Sequence, residues 1–410
     1  RLIYIFIIGL LLCSYTWADG SRYASKSLLS EGKWVKIWVD KTGIYKLSYA
    51  DLKNMGFSDP SKVSVHGYGG WPLDEDFSKE YIDDVPSTPV WRGSDYLLFY
   101  GKGPVKWEYD SSSQTFVHTN NPYSLYGYYF VTDATPTNDM TSVAQASGAT
   151  NRITTYDDYL VHEQELVSLA KSGRELYGED FSGATPRTLS TFSSIPGITN
   201  EDAKVTMSFV SKVTSGTGVA SLSINQSNVL DVSIRSNREE YVKALEGVST
   251  AVWKGEKSEK NSVVVSYNSA SHNNVRLNYV RLHFKRTLQP YGAYSFFRSI
   301  ASIGNVSRFV VQGANANTLV FDVTDAQRVR LMETELNGSE LTFSIPAGTL
   351  REFVLVRTDQ SFISPEVVGE VENQNLHALE QKDMIIIAAK AFQTQAERLA
   401  EEHRATDGLT

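Results

Sequence analysis

Cysteine is all but missing: the single one in 410 residues is Cys13, inside the N-terminal apolar stretch. The remaining chain has no disulfide and no thiol nucleophile, so it must hold itself together with packed cores. An excess of one charge sign is missing too. Lys and Arg number 39 against 47 Asp and Glu, for a net charge of −8 spread along the chain. No basic block is available to track phosphates, which excludes nucleic acid as an expected partner. The run from Leu2 to Leu12 falls short of the ~20 residues a membrane helix needs. His66, His118, His162, His272, His283, His377 and His403 include no HxxxH pair and no Cys neighbour. They read as surface or strand residues, and no resident metal or cofactor is expected from them. His377, just ahead of an apolar run, reads as a loop-packing residue rather than a catalyst.

The opening RLIYIFIIGLLLCSYTWADG reads as an export signal, residues 1–18. One basic residue precedes the apolar run, and Thr16-Trp17-Ala18 fits the small-x-small rule for cleavage between Ala18 and Asp19. Leu12 precedes Cys13 where a lipid-anchor signal would have a small residue, so export without a lipid anchor is expected. The chain begins with Arg1 and not Met, and is expected to be incomplete at that end.

Alternation is what the chain has in abundance. In GKWVKIWVDKTGIYKL, Val35, Ile37 and Val39 alternate with Trp34, Lys36 and Trp38, predicting a strand with one aliphatic and one aromatic-cationic face. Lys41-Thr42-Gly43 reads as a turn with Gly43 at positive φ, leading to a second strand. SYADLKNMGF predicts a short helix capped by Ser48, with Leu52 and Met55 inward and Gly56 ending it. With VSVHGYGG, DYLLFYGKGP and GYYFVTD these make a β-rich domain over 19–150. A helix is predicted next, with Leu160, Gln164, Val167 and Ala170/Lys171 on one path and Gly173 as its stop. Period-two stretches follow, such as Val205, Met207, Phe209 and Leu230, Val232, Ile234, so 151–290 is expected to be a helix plus a β-sandwich. RFVVQG, TLVFDVTD, LTFSIP and EFVLVRT predict a further β unit, or a continuation of the sandwich, over 291–372.

The last stretch, 373–410, changes character. Asp383 to Ala388 is a continuous apolar run, the pattern of a strand covered on both faces. Phe392, Ala396, Leu399, Ala400 and His403 then fall on one helical face. Strand then helix opens a βαβ unit, whose parallel partner strand would follow the helix. The expected fold is therefore mainly β, with sandwich-like N-terminal domains followed by the first strand and helix of a truncated α/β domain.

Among candidate sites, Asp74, Asp76, Asp83 and Asp84 lie close together near glycines and are candidate calcium ligands. Their order is not that of an EF-hand loop, and a solvated acidic loop is the competing reading. GYGG at 67–70 and GKGP at 101–104 lack the strand–GxGxxG–helix context of a nucleotide site. Trp34, Trp38, Trp71 and Trp91, with many tyrosines, could form a sugar platform or simply core and domain contacts. No nucleophile elbow occurs, and no catalytic residue is identified within the chain.

Taken together, GKWVKIWVDKTGIYKLSYADLKNMGF, VSVHGYGG, DYLLFYGKGPVKWEYD, FVHTNNPYSLYGYYFVTD, SGRELYGEDF and NQNLHALEQKDMIIIAAKAFQTQAERLAEEHR resemble the PorU-type sortases of bacterial type IX secretion, relatives of the gingipain cysteine peptidases. The resemblance implies that 373–410 begins a caspase-like peptidase domain whose catalytic His and Cys lie beyond residue 410. It implies a protein exported to the periplasm and then the outer-membrane surface, where it removes C-terminal signal domains from secreted cargo and joins the cargo to lipopolysaccharide. The implied partners are those signal domains, outer-membrane components of the secretion system and the lipopolysaccharide acceptor. Two other readings stay open: a secreted gingipain-like endopeptidase precursor, and a non-enzymatic envelope module binding glycan through aromatic faces.

Overall fold

The computed structural model describes residues 23–410 apart from 77, 80, 81, 170, 172, 173, 237–243, 270, 271 and 273. The export segment, with Cys13, Ala18 and Asp19, lies outside the described residues. The chain divides into two compact units. The larger is 35–81 with 86–370; the smaller joins the described part of 1–34 to 82–85 and 371–410.

The larger unit is built from sheets, as the alternating pattern predicts. Trp34–Val39 lies antiparallel to Gly127–Thr132 in a five-stranded sheet, while Gly43–Ser48 pairs with Tyr96–Gly101 in a separate three-stranded one. The Lys41-Thr42-Gly43 segment is thus a corner between sheets and not a hairpin. Gly43 is not among the positive-φ residues; a β-carbon there would meet the Tyr294 hydroxyl at 2.7 Å. Val35, Ile37, Val39, Val65 and Val131 from one sheet and Tyr45, Leu47, Leu97 and Phe99 from the other close a shared core.

The helix between them is where the sequence puts it, Tyr49–Asn54. Ser48 accepts the Asp51 backbone N–H and Asp51 reaches back to the Ser48 N–H, a reciprocal capping box; Leu52 is buried and Gly56 turns out at φ 91°. Ser48→Ala leaves the Asp51 N–H without its acceptor. A loss of about 1 kcal/mol is expected in a urea titration.

The rest of the larger unit is organised by a nine-stranded sheet running through Thr155–Glu163, Val275–Thr287, Ala203–Ser211 and Leu245–Trp253 on one side and Tyr294–Arg298, Glu352–Arg357 and Thr318–Asp322 on the other. One half packs on the four-stranded sheet of Arg187–Thr188, Val263–Tyr267, Thr217–Ile224 and Ser227–Arg235, around Phe181, Met207, Phe209, Leu222 and Trp253. The other half packs on Asn305–Val311 and Glu340–Ala347, around the rings of Phe297, Phe309, Phe343 and Phe353. Phe309 and Phe343 stack at 5.0 Å and 5°.

The helix predicted through Leu160, Gln164, Val167 and Ala170/Lys171 is not formed. Thr155–Glu163 is a strand, antiparallel to Val275–Thr287 along its whole length and paired with Arg298 at its start. Gln164, Val167 and Lys171 are outside any helix, while Ala170 and Gly173 lie outside the described residues. The strand wins because it is flanked on both sides: its backbone groups are satisfied by distant partners, and its acids by buried cations. The Asp157 side chain is 2% exposed, with the His283 Nε2 at 3.0 Å and the Lys285 ammonium at 2.8 Å. Arg298, 1% exposed, lies 2.8 Å from Glu352 and donates to the Asp157 carbonyl.

Candidate functional site

The acidic candidates separate into two kinds of contact. Asp74 and Asp76 organise their own loop: Asp74 accepts the Asp76 N–H and pairs with Lys79 at 2.7 Å, and Asp76 accepts the Ser78 N–H. Asp83 and Asp84 belong to the smaller unit and tie distant segments of it. Asp83 accepts the Ala24 N–H at 2.5 Å and faces His377 Nε2 at 2.7 Å. Asp84, at φ 53°, accepts the Ser27 hydroxyl at 2.7 Å and the Leu28 N–H at 2.6 Å. Asn375 accepts the Ser27 N–H, while Asn373 donates to the carbonyls of Leu29 and Gly32. The result is a clasp of 24–32, 83–84 and 373–377. All four carboxylates are occupied by N–H, hydroxyl or cationic donors, and among the described residues no group of three or more His, Cys, Asp or Glu is arranged to hold a metal ion.

His377 is thus a member of a fastening. Its hydrogen bond to Asp83 holds the imidazole above its ordinary 6.5, while the Ala24 N–H and His377 hold the Asp83 carboxyl below 3.8. A raised histidine contributes fully at low pH and loses its contribution as pH rises through the folded value; a lowered carboxylate loses its contribution as pH falls through its own. The clasp is therefore expected to be tightest between pH 3.8 and 6.5. Amide exchange at Ala24 and Leu28, corrected for intrinsic rate, should be slower at pH 6 than at pH 9, and His377→Gln should remove that alkaline limb.

After the clasp comes the apolar run. Asp383 to Ala388 forms no β-ladder, and Ile385 and Ile387 are 78% and 96% exposed. This differs from the buried strand predicted. A strand covered on both faces needs neighbours to supply backbone partners and cover, and the described residues supply none. The helix does form, as Gln393–Thr406. Met384, Ile386 and Ala388 face a shallow groove completed by Ala396, Ala400 and His403. Asp383 accepts the Thr410 N–H and hydroxyl, holding the two arms together. Phe392 and Leu399 remain 64% and 50% exposed, so the predicted apolar face is present and largely uncovered.

The other histidines are absorbed locally. His118, His162 and His283 contact Glu163, Glu179 and Asp157 within 3.0 Å, His403 contacts Asp407, His66 meets Ser64 and Thr135, and His272 meets Tyr267. Among the described residues no histidine stands beside a thiol. The tryptophan candidates divide: Trp34 is buried, Trp91 packs on Tyr96, and Trp38 and Trp71 stay half-buried on the five-stranded side. The two glycine motifs prove to be a packing joint. Gly70 sits so close to Gly103 that a β-carbon would lie 2.8 Å from its carbonyl carbon, and Gly69 takes φ +86° beside Lys102. That joint was not legible as a site, because its parts are some thirty residues apart or more.

No family model and no curated protein matches the chain. Among solved structures, dimeric latent PorU from Porphyromonas gingivalis superposes with a TM-score of 0.87 and 31% identity, covering 95% of this chain and 37% of that one. The fold is thus that of a PorU-type N-terminal region, and the chain spans 37% of the matched protein's length. BuGH86 with neoagarooctaose and the isomalto-dextranase of Arthrobacter globiformis T6 with panose align over 62% and 63% of this chain (33% and 36% of theirs), at 11% and 9% identity and TM-scores of 0.21 and 0.18, too low for a shared architecture. No described helix is long and apolar enough to cross a membrane.

Proposed function

Because this chain matches a PorU-type N-terminal region, we propose that it is the non-catalytic part of a type IX secretion sortase. The supporting observation is the agreement in fold and sequence with latent PorU over 95% of the chain. In this reading the catalytic His and Cys belong to the part of the protein that corresponds to the unmatched length of that structure. The exposed Ile385 and Ile387 and the open groove of the Gln393–Thr406 helix await the sheet of that domain. The whole protein is exported and acts at the outer-membrane surface. It cleaves C-terminal signal domains from cargo through a cysteine thiolate, then passes the acyl group to lipopolysaccharide in place of water. The β units hold the peptidase at the secretion machinery and present the signal domain. Alone, the chain has no thiol in its described residues and is inactive as a peptidase.

The test is disruption of the reading frame that carries this sequence, with complementation by the intact frame and by one whose downstream cysteine is changed to alanine. The proposal expects secreted cargo to keep its C-terminal domain and to lose its lipopolysaccharide in the disrupted and Cys→Ala strains. Normal cargo processing, with loss of general endopeptidase activity instead, would favour the gingipain-like precursor.

A further inference from the structure

The sortase reading leaves the segment from Arg174 to Phe181 without a task. It runs close along the nine-stranded sheet: the Gly178 N–H donates to the Leu277 carbonyl at 2.8 Å, and a β-carbon at Gly178 would lie 3.1 Å from that oxygen. With the hairpin of Val105–Asp110 and Thr115–Asn120, the segment lines a cavity of about 350 Å³. Glu163, Glu165, Glu175 and Glu246 line it too. Each of these carboxylates is held by one oxygen only. A single Glu163 oxygen takes His118 Nε2 and the Asn120 amide, both at 2.8 Å, and the same amide reaches Glu165 at 3.1 Å. The Tyr177 hydroxyl donates to Glu175 at 3.0 Å, and Ser208 and Asn278 donate to one Glu246 oxygen at 2.5 and 3.2 Å. The second oxygen of every carboxylate has no partner among the described residues.

The neighbouring cations turn elsewhere. Arg174 pairs with Glu75 at 2.6 Å, Arg276 with Asp180 at 3.2 Å, and Arg281 donates to the Tyr279 hydroxyl at 3.2 Å. Like charges around one cavity repel, and no cation among the described residues answers these four. His118 points the same way. Its side chain is 4% exposed and lines the cavity; with Nε2 donating to Glu163, Nδ1 of the neutral ring is an acceptor left without a partner. Acceptors without donors call for a donor-rich cation. No group of three described acids or histidines is arranged for a metal, and separate carboxylates suit a planar guanidinium with its five donors better than a point charge. A free amino acid would bring a further carboxylate among the four, and Arg174, the one cation among the described lining residues, is already engaged. We propose that this cavity receives an arginine side chain from an extended peptide segment of a partner protein. Glu163, Glu165, Glu175 and Glu246 accept its N–H groups, and Asn120 holds the first two in place. The inference stands on the cavity and does not depend on the peptidase reading.

The test is titration of a labelled, amidated peptide Gly-Ser-Arg-Gly-Ser with the whole chain, followed by fluorescence anisotropy. Versions with lysine or citrulline at the centre are compared, and spermidine, free arginine and calcium chloride serve as competitors. Saturable binding of the arginine peptide is expected, weaker for lysine and absent for citrulline, which keeps the shape and loses the charge. Free arginine should compete poorly. Glu165→Gln, Glu175→Gln and Glu246→Gln, all at exposed positions, should each weaken binding about threefold, as for a partly screened ion pair. The triple variant should abolish it; if that variant does not fold, the single ones decide. Glu335→Gln, the same charge change outside the cavity, should leave the affinity as it was. No binding, equal binding of the lysine or citrulline peptide, or displacement by spermidine, free arginine or calcium as readily as by unlabelled arginine peptide would overturn the proposal. So would unchanged affinity in the cavity variants, or an equal loss in Glu335→Gln.

Discussion

Arg298→Ala is expected to cost the larger unit about 3–5 kcal/mol, read as a large fall in the urea midpoint or as loss of soluble protein. The guanidinium is 1% exposed, lies 2.8 Å from Glu352 and 3.6 Å from Asp158, and packs over the Tyr159 ring at 4.3 Å. Burial opposes its charge, but Glu352, Tyr159 and Asp158 outweigh that and hold it firmly protonated. Removing it strands buried acids and empties volume at the centre of the nine-stranded sheet. Arg298→Met combined with Glu352→Leu removes the charge and its nearest counter-charge together, and should recover most of the loss; Asp158 keeps Arg286 at 2.8 Å. The same network sets an acid limit. Burial opposes ionisation of Asp157, yet His283, Lys285 and the Ile300 N–H hold its carboxyl below 3.8. Its contribution is present above 3.8 and is lost as pH falls through the lower folded value, so unfolding in acid should begin below that point.

Gly127→Ala should be nearly as damaging, about 3 kcal/mol at the upper end of overpacking costs. A β-carbon at 127 would overlap the Lys102 carbonyl oxygen and lie 2.7 Å from the Gly70 nitrogen. Both are backbone atoms, tied by the Gly70 N–H to Lys102 carbonyl hydrogen bond at 2.9 Å, so no flexible side chain can give way. The substitution must prise apart the joint that seats Lys102 and Tyr68. Thermal unfolding should show the loss.

Much of the architecture was legible because it depends on local pattern. Ala203–Ser211 and Ser227–Arg235 announce themselves by alternation, and Tyr49–Asn54 by a cap and a terminal glycine. Thr155–Glu163 misled because its alternation is masked: as an inner strand it buries Asp157 as well as Tyr156. The partners that make this possible, His283 and Lys285, are more than a hundred residues away. The 383–388 run misled in the opposite sense. Its composition reports the cover it is suited to, and composition cannot supply that cover. The candidate aspartates show the same limit: Asp83 and Asp84 look like neighbours of Asp74 in sequence, yet they serve a different unit.

The clasp also has a consequence for the order of folding. Ser27 waits for Asn375, and Leu29 for Asn373, across 348 and 344 residues. A closure of that span carries a large entropic cost before any contact is made, and a growing chain cannot make it until nearly all of the described sequence has emerged. The first described residues are thus among the last to find their places, and refolding should show a late phase that follows their protection while the nine-stranded sheet is already complete.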